Sequence, residues 1–154
     1  MAKRSEKMVL FLCTGNYYRS RFAEILFCSL APRDGLDWTA KSRGLRIGWP
    51  GNIGAISPHS EERLAHLGVD WSEFRHMPLQ CRECDLSRAD QVVVLKEAEH
   101  RPMLSKAFPA WENRVTYWHV HDVDTAHPED ALDEIEQLVG DLVKQLKSEA
   151  DDCD

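Results

Sequence analysis

The chain has 154 residues, of which 43% are hydrophobic and 29% are charged, and its formal net charge is −7 at pH 7. This length and composition are typical of one soluble globular domain rather than of a disordered chain. The acidic balance argues against a general nucleic-acid binder, because counterion release needs a basic surface. We expect one domain over residues 1–148 and a frayed acidic tail over residues 149–154.

The N-terminal region and the cysteines indicate the cellular compartment of the protein. Lys3 and Arg4 precede an apolar run over residues 8–12, which is too short for a signal peptide. No apolar stretch approaches the ~18 residues that a membrane-spanning helix needs. The chain has 5 cysteines, an odd number that cannot pair completely. We therefore expect free thiols in a cytoplasmic protein that does not bind membranes.

The first predicted elements are a strand, a helix and a second strand. Residues 8–12 form a continuous apolar run, as expected of a strand that is buried on both faces. Apolar residues at helical spacing follow, and Pro32 and Gly35 are expected to end that helix. A weaker strand over residues 38–42 then leads into a loop over residues 44–54 that is rich in glycine and proline.

The middle of the chain continues this alternation. Ser57 followed by Pro58 predicts the start of a second helix, and Gly68 lies where its C-terminal cap belongs. Residues 90–95 contain three consecutive valines and predict a third buried strand. Residues 97–106 predict a helix, and Pro102 is expected to limit the regular helix to the residues on one side of the proline.

The last elements define the fold class. Residues 115–120 predict a fourth strand, and a broad apolar face from Pro128 onward predicts a long final helix. Glu129 and Asp130 at its start, with Lys144 near its end, suit the helix dipole. Strands that alternate with helices imply an α/β fold with a parallel sheet covered on both faces.

One loop has the pattern of an anion site. Residues 13–20 join the first predicted strand to the first predicted helix, at the edge of the sheet where α/β folds bind ligands. Backbone N–H groups at a helix N-terminus favour a negative charge. We expect Gly15 to adopt a backbone conformation closed to other residues. Arg19 would offer a phosphate two parallel N–H donors, which lysine cannot do.

Cys13 opens this loop, in a position suited to a nucleophile. The thiolate is the reactive form of cysteine, and positive surroundings favour it. The loop amides, the helix N-terminus and Arg19 would supply those surroundings, and Ser20 would donate a hydrogen bond to the sulfur. The alternative interpretation is that Cys13 simply ends a buried strand, as structural cysteines often do.

At these residues the sequence resembles the low-molecular-weight protein tyrosine phosphatases, whose loop has the pattern Cys-x-Gly-Asn-x-Cys-Arg-Ser. Further matching segments, which extend the resemblance over nearly the whole chain, are Ala23-Glu24, Ser42, Leu67-Gly68-Val69 and residues 89–95. The resemblance implies a flavodoxin-like three-layer sandwich with a four-stranded parallel sheet in the order 2-1-3-4. It also implies hydrolysis of a phosphomonoester through a cysteinyl-phosphate intermediate, with no metal and no cofactor.

The resemblance assigns roles to individual residues. Cys13, Arg19 and Asp122 would be the catalytic residues, and Ser42 would hydrogen-bond to Asn16 and support the loop. The residues expected to bind the substrate are Thr14, Gly15, Asn16, Tyr17, Tyr18, Ser20 and Trp49. Tyr17 and Tyr18 could equally pack against the sheet. Expected ligands are a phosphotyrosine protein or a small phosphomonoester, and inorganic phosphate or other oxyanions.

The chain departs from the family pattern at the general acid. The family has Asp-Pro-Tyr after the fourth strand, whereas this chain has Asp122-Val123-Asp124. Asp122 aligns with the acid that protonates the leaving oxygen, and Asp124 is the second candidate. The missing tyrosine removes an aromatic wall that would flank a phosphotyrosine ring. Trp49 would then supply one wall alone, and a smaller phospho-ester or another phosphorylated residue becomes a serious alternative.

A second departure concerns the thiols. Tyr18 replaces the second loop cysteine, which in the family traps the nucleophile in a reversible disulfide. Cys81 and Cys84 form a C-x-x-C pair that could suggest zinc, but no second pair of ligands stands at suitable spacing. Two rival functions remain, a thiol-dependent arsenate reductase and a non-catalytic phosphate-binding module. The position of Cys81 and Cys84 before the third strand argues against the first, and the intact Cys13 argues against the second.

Overall fold

A four-stranded sheet in the order β2-β1-β3-β4 forms the centre of the fold, and its three strand pairs are all parallel. The computed structural model describes residues 6–48, 50–120 and 127–152. The strands are β1 (Lys7–Cys13), β2 (Trp38–Gly44), β3 (Gln91–Val94) and β4 (Thr116–Tyr117). This order confirms the predicted flavodoxin-like topology.

Five α-helices connect and cover the strands in the described parts of the chain. They are α1 (Arg19–Arg33), α2 (Pro58–His66), α3 (Glu83–Arg88), α4 (Glu97–Ala107) and α5 (Pro128–Asp152). Helix α3 was not predicted from the sequence and is only 6 residues long. No helix within the described residues is long and apolar enough to cross a membrane.

The apolar run of β1 divides between two cores, because successive side chains of a strand point to opposite faces. Val9 and Phe11 pack into the larger cluster, which includes residues of α1 and α5. Leu10 and Leu12 pack into a second cluster on the other face with residues of α3 and α4. All four side chains are at most 1% exposed. Residues 9–12 are therefore continuously apolar because both faces of the strand are buried there.

Helix boundaries follow the predicted caps in the first half of the chain. The Ser57 side chain accepts a hydrogen bond of 3.3 Å from the amide of His59, and Pro58 opens α2. Gly68 has a φ of +71° just after this helix. Gly35 has a φ of +69° just after α1. Both glycines therefore occupy the left-handed region that ends a helix.

Two predictions about helices were wrong. Helix α4 runs through Pro102 without interruption. Proline removes a hydrogen bond to the carbonyl four residues earlier, and here that residue is Ala98, in the exposed first turn of the helix. Helix α5 continues to Asp152, through most of the segment that the sequence analysis described as frayed. Residues 148–151 contain no glycine or proline that would stop a helix.

The fourth strand is shorter than residues 115–120 suggested. Regular pairing with β3 covers only Thr116 and Tyr117. Beyond them the amide of Trp118 donates to the carbonyl of Val94, and the amide of Val120 donates to the carbonyl of Leu95. Two residues of this segment thus lie opposite one residue of the segment that follows β3, and this bulge ends the regular ladder of hydrogen bonds.

Candidate active site

The predicted anion loop lies between the end of β1 at Cys13 and the start of α1 at Arg19. Cys13 is 2% exposed, and its Sγ lies 2.9 Å from the Oγ of Ser20, in the first turn of α1. A hydroxyl at this distance is able to donate to a sulfur that carries negative charge. The N-terminus of α1 adds backbone N–H groups and a positive dipole end to the same place.

Asn16 holds the loop in its conformation. It is the non-glycine residue with positive φ, +52°, among the residues described. Its Nδ2 donates to the Oγ of Ser20 at 3.0 Å and to the Oγ of Ser42 at 2.8 Å, and its Oδ1 accepts from the amide of Leu79 at 3.0 Å. These bonds tie the loop to β2 and to the segment before α3. They offset the cost of the left-handed backbone.

Gly15 does not have the role that the sequence suggested. The left-handed residue of the loop is Asn16, and Gly15 is not among the glycines with positive φ. A Cβ atom added to Gly15 would instead lie 2.9 Å from the Nδ2 of Asn52. Because Gly15 has no side chain, the Asn52 side chain can approach the loop closely.

A buried ion pair extends the network behind the loop. The Oγ of Ser42 donates to the Oε1 of Glu24 at 2.6 Å, and the Nη1 of Arg21 donates to the same oxygen at 3.1 Å. Arg21 also donates to the Nε2 of His76 at 2.6 Å and to the carbonyl of Phe74. Arg21 and Glu24 are 0% and 4% exposed.

Burial dominates the titration of this pair. It raises the pKa of Glu24, although Arg21 and the Ser42 hydroxyl act in the opposite direction. It likewise lowers the pKa of Arg21, which the Glu24 charge partly offsets. From the sequence, Glu24 was recognised only as a continuation of the motif, and Arg21 was not singled out. Their i, i+3 spacing on a helix was the available signal.

The guanidinium of Arg19 forms a two-pronged ion pair with Glu99 of α4. Its Nη2 lies 2.8 Å from Oε2 of Glu99 and its Nη1 lies 3.3 Å from Oε1. Nη1 also donates to the carbonyl of Val120 at 3.2 Å. Arg19 is 2% exposed, so its position is fixed by these acceptors and by packing.

Glu99 is held by further donors. The Thr14 hydroxyl donates to its Oε2, and the Nε2 of His100 lies 3.1 Å from the same oxygen. Partial burial tends to raise the pKa of Glu99, but hydrogen bonds from His100, Arg19 and Thr14 outweigh it and hold that pKa far below its usual range. The carboxylate is therefore ionised at neutral pH. Glu99 and His100 were not predicted as site residues. Their position in the sequence, just after the third strand, could have indicated them.

These residues surround a pocket of about 760 Å³. From the loop and the first turn of α1, its lining includes Cys13, Thr14, Gly15, Tyr17, Tyr18 and Arg19. The remainder of the lining comes from Gly51, Asn52, Ile53, Ser57, Pro58, His59 and Glu99. The Tyr17 hydroxyl donates to the carbonyl of Ile53 at 2.7 Å, which connects the loop to the outer wall. The Tyr18 hydroxyl donates to the carbonyl of Pro128 at 3.0 Å.

Three predicted site residues, Trp49, Asp122 and Asp124, lie outside the described residues. The other predicted loop residues and Ser42 lie in or directly beneath the pocket. Cys81 and Cys84 are both free thiols, and burial raises the pKa of Cys81 to about 12. Within the ranges that the structure describes, no three His, Cys, Asp or Glu side chains are grouped as a metal site would require.

A cysteine and an arginine at the two ends of a strand-to-helix loop, with a parallel sheet beneath, define a class of phosphate-binding α/β enzymes. Residues 8–152 match the model of the family described as low molecular weight phosphotyrosine protein phosphatase. The chain belongs to this family. It is a cysteine-dependent phosphatase, and Cys13 lies in its phosphate-binding loop.

Individual relatives agree with this assignment. A protein-arginine-phosphatase of Bacillus subtilis (strain 168) is 28% identical over 155 residues, which cover 92% of this chain and 97% of that protein. Among solved structures, YfkJ from Bacillus subtilis has a TM-score of 0.80 and 26% identity, covering 96% of this chain and 99% of that one. The YwlE arginine phosphatase mutant with a phosphorylated active-site serine has a TM-score of 0.75 and 26% identity, covering 91% of this chain and 95% of that one.

Proposed function

We propose that the protein removes phosphate from phosphorylated protein side chains, with Cys13 as the nucleophile and Arg19 as the phosphoryl-binding residue. The observation that carries this proposal is the shared pocket of these two side chains. The Cys13 sulfur lies at its base, 2.9 Å from the Ser20 hydroxyl, and Arg19 lines the same space. A purely binding module would not need a thiol at the base of the anion site.

The proposed reaction has two steps. In the first, the Cys13 thiolate attacks phosphorus, an S–P bond forms, and the bond from phosphorus to the leaving oxygen or nitrogen breaks. In the second, water attacks phosphorus and the S–P bond breaks, which regenerates the thiolate. Ser20 donates a hydrogen bond to the departing sulfur, and Arg19 with the loop amides stabilises the charge on the phosphoryl oxygens.

Asp122 is the proposed general acid and base. It would protonate the leaving group in the first step and take a proton from water in the second. One observation supports this role: the carbonyl of Val120, two residues earlier in the chain, accepts a hydrogen bond from Arg19. Asp124 is the alternative acid.

Two substrate classes follow from different observations. Phosphotyrosine is the class named in the family description. Phosphoarginine is favoured by the name of the Bacillus subtilis relative and by the carboxylate of Glu99 in the pocket lining. A guanidinium group is positively charged, so a carboxylate in the pocket lining suits it better than it suits an uncharged phenol. Inorganic phosphate and other oxyanions would bind as the product or its analogues.

The free thiols of the described residues fit a reducing compartment, and we propose that the protein acts in the cytoplasm. A fusion to a fluorescent protein, followed by cell fractionation, tests this location. Recovery of the fusion outside the cytoplasmic fraction would contradict it.

The test of the catalytic roles is a phosphatase assay on matched peptides that carry phosphotyrosine, phosphoserine or phosphoarginine. Cys13→Ser should abolish hydrolysis, because the nucleophile is lost. Arg19→Lys should reduce it at least about a hundredfold, because lysine lacks the planar fork. Asp122→Asn should slow poor leaving groups more than good ones. Undiminished hydrolysis by Cys13→Ser would refute the proposed mechanism.

A further inference from the structure

The phosphate-binding arginine is already engaged by an anion of the protein itself. Both terminal nitrogens of Arg19 contact the two oxygens of Glu99, at 2.8 and 3.3 Å. This is the geometry in which a guanidinium also binds a phosphoryl group. The Glu99 side chain is 26% exposed and belongs to the pocket lining, whereas Arg19 is 2% exposed. Glu99 is therefore the more exposed member of the pair, and both side chains line the pocket.

Glu99 does not depend on Arg19 alone for its position. The Thr14 hydroxyl donates to Oε2 of Glu99, and the Nε2 of His100 is 3.1 Å from that oxygen. The amide of Lys96 donates to the Nδ1 of His100 at 3.1 Å, so the proton of the neutral ring is on Nε2, facing the carboxylate. A phosphoryl group that took Arg19 from Glu99 would leave the carboxylate tethered beside it by Thr14 and His100.

We propose that Glu99 is a specificity-determining residue, whose carboxylate competes with the incoming phosphoryl group for Arg19 and disfavours dianionic aryl phosphates relative to phosphoarginine. This inference rests on the proposed function, in which Arg19 binds the phosphoryl group.

The charge of the substrate decides the direction of the effect. A phosphomonoester of tyrosine is close to a dianion at pH 7, because its second pKa is about 6. In phosphoarginine the guanidinium carries a positive charge that offsets part of the phosphoryl charge. A fixed negative charge within a few ångströms therefore repels the aryl phosphate and inorganic phosphate more strongly than it repels phosphoarginine.

The test compares Glu99→Gln with the wild-type protein. Glutamine keeps the size of the side chain and one oxygen acceptor for Arg19 but removes the charge. The control is Glu97→Gln, which removes the same charge from the first turn of α4, where Glu97 pairs with Arg101 at 2.9 Å rather than with residues of the pocket. Measurements are the inhibition constant of inorganic phosphate, and kcat and KM for matched phosphotyrosine and phosphoarginine peptides.

We expect Glu99→Gln to lower the phosphate inhibition constant and the phosphotyrosine KM by about tenfold, the order produced by removing one nearby charge in a half-exposed site. The phosphoarginine KM should change by less than about threefold, and kcat for both peptides should stay within about threefold. Glu97→Gln should leave all these values unchanged. In the wild-type protein, kcat/KM should be higher for the phosphoarginine peptide.

Other outcomes separate this inference from the proposed function. A higher phosphate inhibition constant and a reduced kcat in Glu99→Gln would show that Glu99 only positions Arg19, and would overturn the inference. So would a wild-type preference for the phosphotyrosine peptide of tenfold or more. In either case an inactive Cys13→Ser variant would leave the proposed function standing, whereas an active one would remove the basis of both.

Discussion

The Ser42→Ala substitution tests the network that holds the phosphate loop. Ser42 is 0% exposed, accepts from Asn16 at 2.8 Å and donates to Glu24 at 2.6 Å. Losing the neutral bond costs about 1 kcal/mol, and losing a bond to a buried carboxylate costs about 2 kcal/mol. We therefore expect the free energy of unfolding to fall by about 3 kcal/mol, a large part of the 5–15 kcal/mol that typical domains have.

The same substitution should affect catalysis, because Asn16 keeps its left-handed backbone through these bonds. Two other bonds of Asn16 remain, to Ser20 and to the amide of Leu79, so we expect kcat/KM to fall by about tenfold rather than to vanish. Urea denaturation with an unchanged m-value measures the stability change, and p-nitrophenyl phosphate measures the activity. Ser148→Ala, on the exposed surface of α5, is the matched control. A loss below 1 kcal/mol with unchanged kcat/KM in Ser42→Ala would refute the reasoning.

Two further predictions concern oxidation and pH. Because Tyr18 stands where the family has a second loop cysteine, peroxide should inactivate Cys13 less reversibly than in proteins with that cysteine; full recovery with dithiothreitol after strong peroxide treatment would count against this. The pKa of Glu99 is lowered in the folded protein, so its contribution to stability is complete above the unfolded pKa of about 4.3 and is lost as the pH falls through the lower folded value. The difference in unfolding free energy between wild type and Glu99→Gln should thus be constant from about pH 7 to 5 and shrink below about pH 4; a difference independent of pH down to 2 would contradict it.

The layout of the fold was predictable because its signals are local. The apolar run of β1 needs no partner to be recognised, and Ser57 with Pro58 marks a helix start from adjacent residues alone. The failures have a different origin. The length of β4 depends on how its residues pair with β3, and the passage of α4 through Pro102 depends on the exposed position of Ala98, to whose carbonyl proline cannot donate. Neither is a property of the local sequence.

The residues of the candidate site were likewise predictable where the signal is local and were missed where it is not. Residues 13–20 are contiguous, so the pattern of residue types already contained the proposed nucleophile, the arginine and the turn. Glu99 reaches this loop from a helix 80 residues away in sequence from Arg19, and no spacing rule links the two. The role of Gly15 was misjudged because asparagine also tolerates the left-handed region, and here Asn16 adopts it.

The two ion pairs around the loop together constrain how the site selects ligands. Behind it, Arg21 and Glu24 cancel each other's charge in a fully buried position, so they support the loop without making it more positive. In front, Arg19 and Glu99 cancel as well. The attraction that remains for an incoming phosphoryl group comes from the amides and the α1 terminus, whose fixed partial charges act over a short range. Under the proposed function, strong phosphate binding therefore requires Arg19 to exchange one carboxylate for one phosphoryl group. We expect the free energy of that exchange, rather than the presence of the arginine alone, to rank the substrates.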